Sequence, residues 1–236
     1  MKILIIAAHP DDEILGMGGT ILKHSKNGDK IRTIYLATGI SSRRNSNQKN
    51  APKYTVTKKE ENAITNQIQK LRQNAINANK TLKVNSVEFY DFPDNEMDSI
   101  SLLEIVKTIE NEIQKFKPDK IYTNHKGDLN IDHQITFQAT LTACRPGTNT
   151  VKEILSFEVP SSTEWNYPNS FSPNLFVDIS KELETKLKAM ACFKSEIRKF
   201  PHPRSKKSLQ CISTRWGSVS NTSFAEAFEI IRKIAL

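Results

Sequence analysis

The chain has 236 residues, of which 37% are hydrophobic and 25% charged, the balance of an ordinary globular protein. No stretch approaches the roughly 20 apolar residues that a bilayer demands, which excludes a membrane-spanning helix and points to a soluble chain. The formal charge of +8 comes from lysines spread along the whole length, with neither a basic tract nor a known nucleic-acid-binding pattern, so no nucleic-acid partner is expected.

The length fits one large α/β domain, and residues 1–236 are read as such. The opening apolar run stops at His9-Pro10-Asp11-Asp12-Glu13, too early for a secretory segment with its cleavage site, so no export is expected. Cys144, Cys192 and Cys211 are odd in number and far apart, making neither a disulfide framework nor a metal clip. They suit a reducing, cytoplasmic setting.

Lys2 to Ala8 is an isoleucine-rich run, the pattern of a strand buried on both faces of a parallel sheet. Ile14, Leu15, Ile21 and Leu22 then recur at helical spacing as far as Lys26, and Gly28 supplies a stop. A strand is expected at Ile31 to Ala37, followed by a long polar loop from Gly39 to Pro52. Next come a helix from Thr57 to Asn79, a strand at Val87 to Phe92, a helix from Ser101 to Phe116 and a strand at Lys120 to Thr123. Beyond a helix beginning near His133, Val151 to Pro160 reads as a strand and Pro168 to Pro173 as a loop, with helices at Lys181 to Lys199 and Phe224 to Ile234. This alternation predicts a Rossmann-like α/β fold, a mostly parallel sheet with helices on both faces.

Two polar clusters stand at strand ends. The first is His9-Pro10-Asp11-Asp12-Glu13, and the second runs from Asn124 to His133, with two histidines and two aspartates in its last nine residues. In the strand order 3-2-1-4 the first and fourth strands are neighbours, so the clusters meet at the switch point where such sheets bind ligands. Imidazoles and carboxylates are zinc ligands, and a catalytic site keeps three so that water holds an open position. Spacing alone leaves His9, His125, His133, Asp11, Asp12, Asp128 and Asp132 as candidates. His24, on the polar side of the first helix, reads as solvated, and His202 sits in a Pro-His-Pro loop that could reach substrate.

The runs AAHPDDEILGMGGTI, PDKIYTNHKGDLNIDH and FAEAFEIIR closely resemble the PIG-L/LmbE-like family of metal-dependent N-deacetylases over nearly the whole chain. The resemblance implies His9, Asp12 and His133 as zinc ligands and Asp11 as general base, with Fe²⁺ or Co²⁺ able to replace Zn²⁺. It implies an N-acetylated amino sugar or small glycoconjugate as substrate, hydrolysed to free amine and acetate. Some members carry a histidine three residues before the last ligand, where this chain has Asn130. Asn130 could donate to the oxyanion but has no proton to give the leaving amine, and His125 is the nearby substitute for that role. Asp132 is placed to orient a ring nitrogen, and Arg44, in the loop after the second strand, to bind a phosphate or hydroxyls.

Two other readings compete. Gly16-Met17-Gly18-Gly19 invites a dinucleotide-binding enzyme, but a Rossmann fingerprint opens with glycine at the strand end, where this chain places carboxylates that repel phosphate. A non-catalytic sugar-binding module is the other, against which the complete HPDDE set stands. The particular sugar and the number of subunits have no signature in the sequence.

Overall fold

A computed structural model describes residues 1–40, 58–147, 149–168 and 171–235. Its centre is β1 (Lys2–Ala7), whose alternation divides the protein into two layers of core. Ile3, Ile5 and Ala7 pack with one hydrophobic cluster, and Leu4 and Ile6 with the other. A strand apolar on both faces is stable only where helices cover both.

One covering layer is built by α1 (Asp12–Lys26), α2 (Lys58–Thr81) and α5 (Leu183–Met190), whose Ile14, Leu71 and Leu187 join the first cluster. The other is built by α3 (Leu102–Phe116) and α4 (Ile131–Ala143), through residues such as Ile105, Ile109 and Ala139. Between them the sheet adds β2 (Lys30–Ala37), β3 (Ser86–Phe92), β4 (Lys120–Asn124), β5 (Glu153–Phe157), β6 (Leu175–Asp178) and β7 (Ala225–Lys233), in the order β3-β2-β1-β4-β5-β7-β6. Pairs β1–β2, β2–β3, β1–β4 and β4–β5 are parallel, while β7 runs antiparallel to both neighbours. Ile6 lies beside Thr123, so the C-terminal tips of β1 and β4 adjoin, as the predicted order requires.

The chain departs from expectation near its end. Phe224 to Ile234, read as a helix, holds the antiparallel strand β7. Glu226 and Glu229, three apart, mimic helical spacing, but both carboxylates are buried and bonded. Glu226 accepts from Gly19 N at 2.9 Å, Thr20 N at 2.6 Å and Lys186 Nζ at 2.6 Å, and Glu229 accepts from Ser172 N at 2.8 Å. The helix expected at Lys181 to Lys199 is only α5, and α6 (Lys206–Ser220) was not anticipated; Ser205 caps it by accepting from Ser208 N at 3.1 Å. Edge strand β6 has four residues, too few to show a period.

The glycines of α1 serve packing. A Cβ on Gly16 would lie 2.4 Å from the Glu158 carbonyl oxygen, and one on Gly19 2.7 Å from Ile179. Met17 leaves helical geometry at φ −143°, and Glu226 satisfies the amides that the break exposes. His24 is not solvated: its Nδ1 lies 2.8 Å from Asp29 and its Nε2 2.9 Å from the Tyr122 hydroxyl. Among the described residues, no helix is long and apolar enough to cross a membrane.

Candidate active site

Where β1 ends, the chain turns sharply into α1. Asp11 occupies the N-cap position at φ 118°, a left-handed conformation that costs a non-glycine residue about 1–3 kcal/mol and collects at functional sites. Its side chain makes no cap hydrogen bond and faces a polar cleft of about 140 Å³ at the tips of β1 and β4. His9, Asp11, Asp12, Asn130 and His133 all line this cleft, together with Asp94, Asn95, Ser161, Ser162, Glu196 and Arg204.

Three donor atoms converge there. His9 Nδ1 lies 3.2 Å from His133 Nε2 and 3.8 Å from Asp12 Oδ2, and His133 Nε2 lies 3.3 Å from the same carboxylate oxygen. Tetrahedral zinc with bonds of about 2.1 Å spaces its ligand atoms about 3.4 Å apart, so the set has the right size for such a cation. Asp12 is held by the backbone N–H of His9 at 2.9 Å and by Asn124 Nδ2 at 3.1 Å.

Each imidazole is fixed from behind by carboxylate. His9 Nε2 lies 2.9 Å from Asp132 Oδ2 and 3.1 Å from Asp94 Oδ1, and His133 Nδ1 lies 3.1 Å from Asp128 Oδ2. These partners favour protons on the far nitrogens and leave lone pairs on the near ones, facing each other and Asp12. Two such lone pairs and a carboxylate so close together suit a shared cation. Burial draws both imidazoles down, yet the carboxylates around them, Asp132 and Asp94 for His9 and Asp12 and Asp128 for His133, outweigh it and hold both above the usual histidine value. His9 with Asp94 and Asp132 forms a second possible metal group. Asp132, however, already accepts from the N–H groups of Asn95 at 2.6 Å and Met97 at 3.1 Å, which makes this group a buttress for His9.

Asp11 stands apart from the donor set. Burial pushes its carboxyl up to about 7 against the pull of Arg204, with Asp12 and Glu196 adding to the rise. Arg204 Nη1 donates to Asp11 at 2.9 Å and to Glu196 at 3.2 Å, while its Nε donates to Ser161 Oγ at 2.6 Å.

The other sequence candidates fall differently. Asn130 caps α4, accepting from Asp132 N at 2.9 Å, and donates to Asn95 Oδ1 at 2.7 Å. His125 does not line the cleft; it is buried against the Phe171 ring, its Nδ1 3.4 Å from Glu229, and burial lowers its affinity for a proton. Arg44 lies outside the described residues. Sequence reasoning missed Asp94, Glu196 and Arg204. Asp94 stands two residues past the tip of β3, at the same edge of the sheet as His9, so the edge rule alone would have flagged it. Arg204 belongs to the Pro-His-Pro-Arg run singled out only for His202, which instead packs on Trp165 and accepts from Arg204 N at 3.1 Å.

The chain is 29% identical over 199 residues to an uncharacterized deacetylase, YaiS, of Escherichia coli K12, a match covering 82% of this chain and 90% of that protein. It is 25% identical to a diacetylchitobiose deacetylase of Thermococcus kodakarensis, covering 100% of this chain and 85% of the relative. Among solved structures, the 4-carboxy-2-hydroxymuconate hydratase GalB of Pseudomonas putida KT2440 superposes with a TM-score of 0.76 at 18% identity, covering 100% of this chain and 98% of that one, a likeness of fold alone. The family model described as PIG-L, GlcNAc-PI de-N-acetylase, matches residues 4–144, a span that includes both polar clusters, and the chain belongs to that family.

Proposed function

We propose that this chain hydrolyses the acetamide of an N-acetylated amino sugar or small glycoconjugate to free amine and acetate, using a divalent cation held by His9, Asp12 and His133. The observation that carries the reading is the 3.2–3.8 Å triangle of donor atoms with the separate carboxylate of Asp11 beside it. The family and the two relatives named as deacetylases support it. The fold does not choose the reaction, since it also carries a hydratase.

Zinc is the first expectation for the cation, with Fe²⁺ or Co²⁺ as replacements; bound there, it would polarise the acetamide carbonyl and acidify water. Asp11 accepts a proton from the water as its oxygen bonds to the carbonyl carbon. The same carboxyl returns that proton to nitrogen as the C–N bond breaks, which dispenses with the histidine that Asn130 replaces. A carboxyl poised near 7 is suited to both transfers. Arg204 holds the orientation of Asp11, and Asp94 offers an acceptor to sugar hydroxyls. The unpaired cysteines support a cytoplasmic location.

The dinucleotide reading loses its footing because the α1 glycines are taken up by contact with Glu158 and Ile179. A binding module without catalysis has no use for Asp11, which faces the cleft in a strained conformation. Metal analysis of the purified protein, joined to an acetate-release screen over N-acetylated sugars and nucleotide sugars, tests the proposal. Stoichiometric zinc and release from at least one sugar are expected; a metal-replete protein that releases no acetate across the panel would refute it.

A further inference from the structure

Just outside the cleft, a short 3₁₀ turn, Thr163–Trp165, presents an indole to solvent. Trp165 is 44% exposed, which leaves apolar surface in water that a folded protein ordinarily buries. The turn beneath it is firmly held. Thr163 Oγ1 donates to Asp128 Oδ2 at 2.6 Å, Asn166 Nδ2 donates to the Gly127 and Asp128 carbonyls at 3.1 Å each, and the Glu164 carboxylate accepts from Ser161 N at 2.8 Å and Ser162 N at 3.2 Å. Asp128 is also the partner of His133, so the turn that carries the indole is anchored on the carboxylate that backs the candidate metal centre.

Two connections set Trp165 at the rim. Its backbone N–H donates to the Ser162 carbonyl at 3.2 Å, and its ring meets His202 edge to face at 5.9 Å, while His202 accepts from Arg204 N. Ser162 and Arg204 line the cleft. Tyr167, two positions after Trp165, is 83% exposed, and Phe200, two before His202, is 56% exposed. Lys207 lies 4.4 Å over the Phe200 ring, so that ring is covered by a cation and is not bare apolar surface. A pyranose, with C–H groups on its face and hydroxyls at its edge, suits an isolated indole flanked by polar side chains.

We propose that Trp165 is a stacking platform for a second sugar ring, the one joined to the N-acetylated ring in the cleft, and so makes the protein prefer an oligosaccharide or glycoside to a monosaccharide. This rests on the deacetylase reading above. A rigid aromatic ring costs little conformational entropy when it is covered, which is why such a fixed indole serves binding well.

The test compares the metal-loaded protein with Trp165→Ala and Trp165→Tyr on N-acetylglucosamine and on its β-linked disaccharide, N,N′-diacetylchitobiose. The ratio of kcat/KM for disaccharide over monosaccharide falls about tenfold in Trp165→Ala, through KM, and Trp165→Tyr restores most of it. An equal loss on both sugars, or an unchanged ratio, overturns the platform and leaves the deacetylase reading standing. Binding is read separately: the disaccharide shifts tryptophan emission, and the shift is absent from Trp165→Phe. That shift without turnover of either sugar would keep the platform and remove the deacetylase reading, whereas no shift and no change in ratio would overturn the platform.

Discussion

Arg204 Nη1 donates to Asp11 Oδ2 at 2.9 Å, joining the loop before α6 to the turn after β1 across 193 positions of sequence. Burial raises the Asp11 carboxyl to about 7, and Arg204 is the largest influence opposing that rise. Removing the guanidinium therefore raises it further. Catalysis needs Asp11 ionised, so activity is present above its pKa and lost as pH falls through it. With both proteins metal-loaded, Arg204→Ala moves the acidic limb of the kcat/KM profile to higher pH by about one unit or more. Arg204→Lys recovers part of the shift. A profile that falls uniformly with an unmoved limb would show that Arg204 does not act through Asp11.

His9→Ala and His133→Ala each lose bound metal and activity together, because a three-ligand site tolerates no vacancy. Atomic absorption on the purified variants, set beside acetate release, checks this. Stoichiometric zinc in either variant removes that residue from the ligand set.

Asp132→Asn keeps the three proposed ligands but weakens the hold on His9 Nε2, now 2.9 Å from the carboxylate. Metal affinity falls about 10–100-fold, the usual worth of a carboxylate behind a ligating histidine. Competition with a chelator of known affinity measures it, and an unchanged affinity would make Asp132 a support for the Asn95–Met97 backbone alone.

The Lys186–Glu226 pair, 2.6 Å apart, is nearly inaccessible to solvent. Glu226→Ala leaves a buried ammonium unpaired and two amides of α1 without an acceptor, costing about 3–5 kcal/mol of stability. Glu226→Gln keeps an acceptor and costs less. Urea midpoints of the three proteins at constant m-value check the order, and a Glu226→Ala midpoint equal to wild type contradicts the role.

The two clusters that carry the proposed ligands were legible because both sit where parallel strands stop, and the βαβ alternation fixes which strands stop side by side. Asp132 as the residue that orients a ring nitrogen was legible as well, being adjacent to His133, though the ring it holds is that of His9. Arg204 and Glu196 were not. They enter from the segment between α5 and α6, where the expected helix ends early and the chain runs through loops without a period to read. Glu226 misled for a related reason: a buried glutamate in a strand is satisfied only by partners 40 to 207 positions away, which local pattern cannot reveal. His125 drew attention as a strand-end histidine, but its ring packs on Phe171, away from the cleft.

Asp11 and Asp12 are neighbours with the same side chain, and the central claim assigns them different work. Zinc titration and acetate release measured together on Asp11→Asn and Asp12→Asn test it most directly. Asp11→Asn is expected to bind zinc as wild type does while activity falls by about 10² to 10⁴, the worth of a general base. Asp12→Asn is expected to bind zinc weakly, since a neutral amide is a poorer ligand than a carboxylate. A metal-deficient Asp11→Asn beside a metal-replete Asp12→Asn would contradict the assignment.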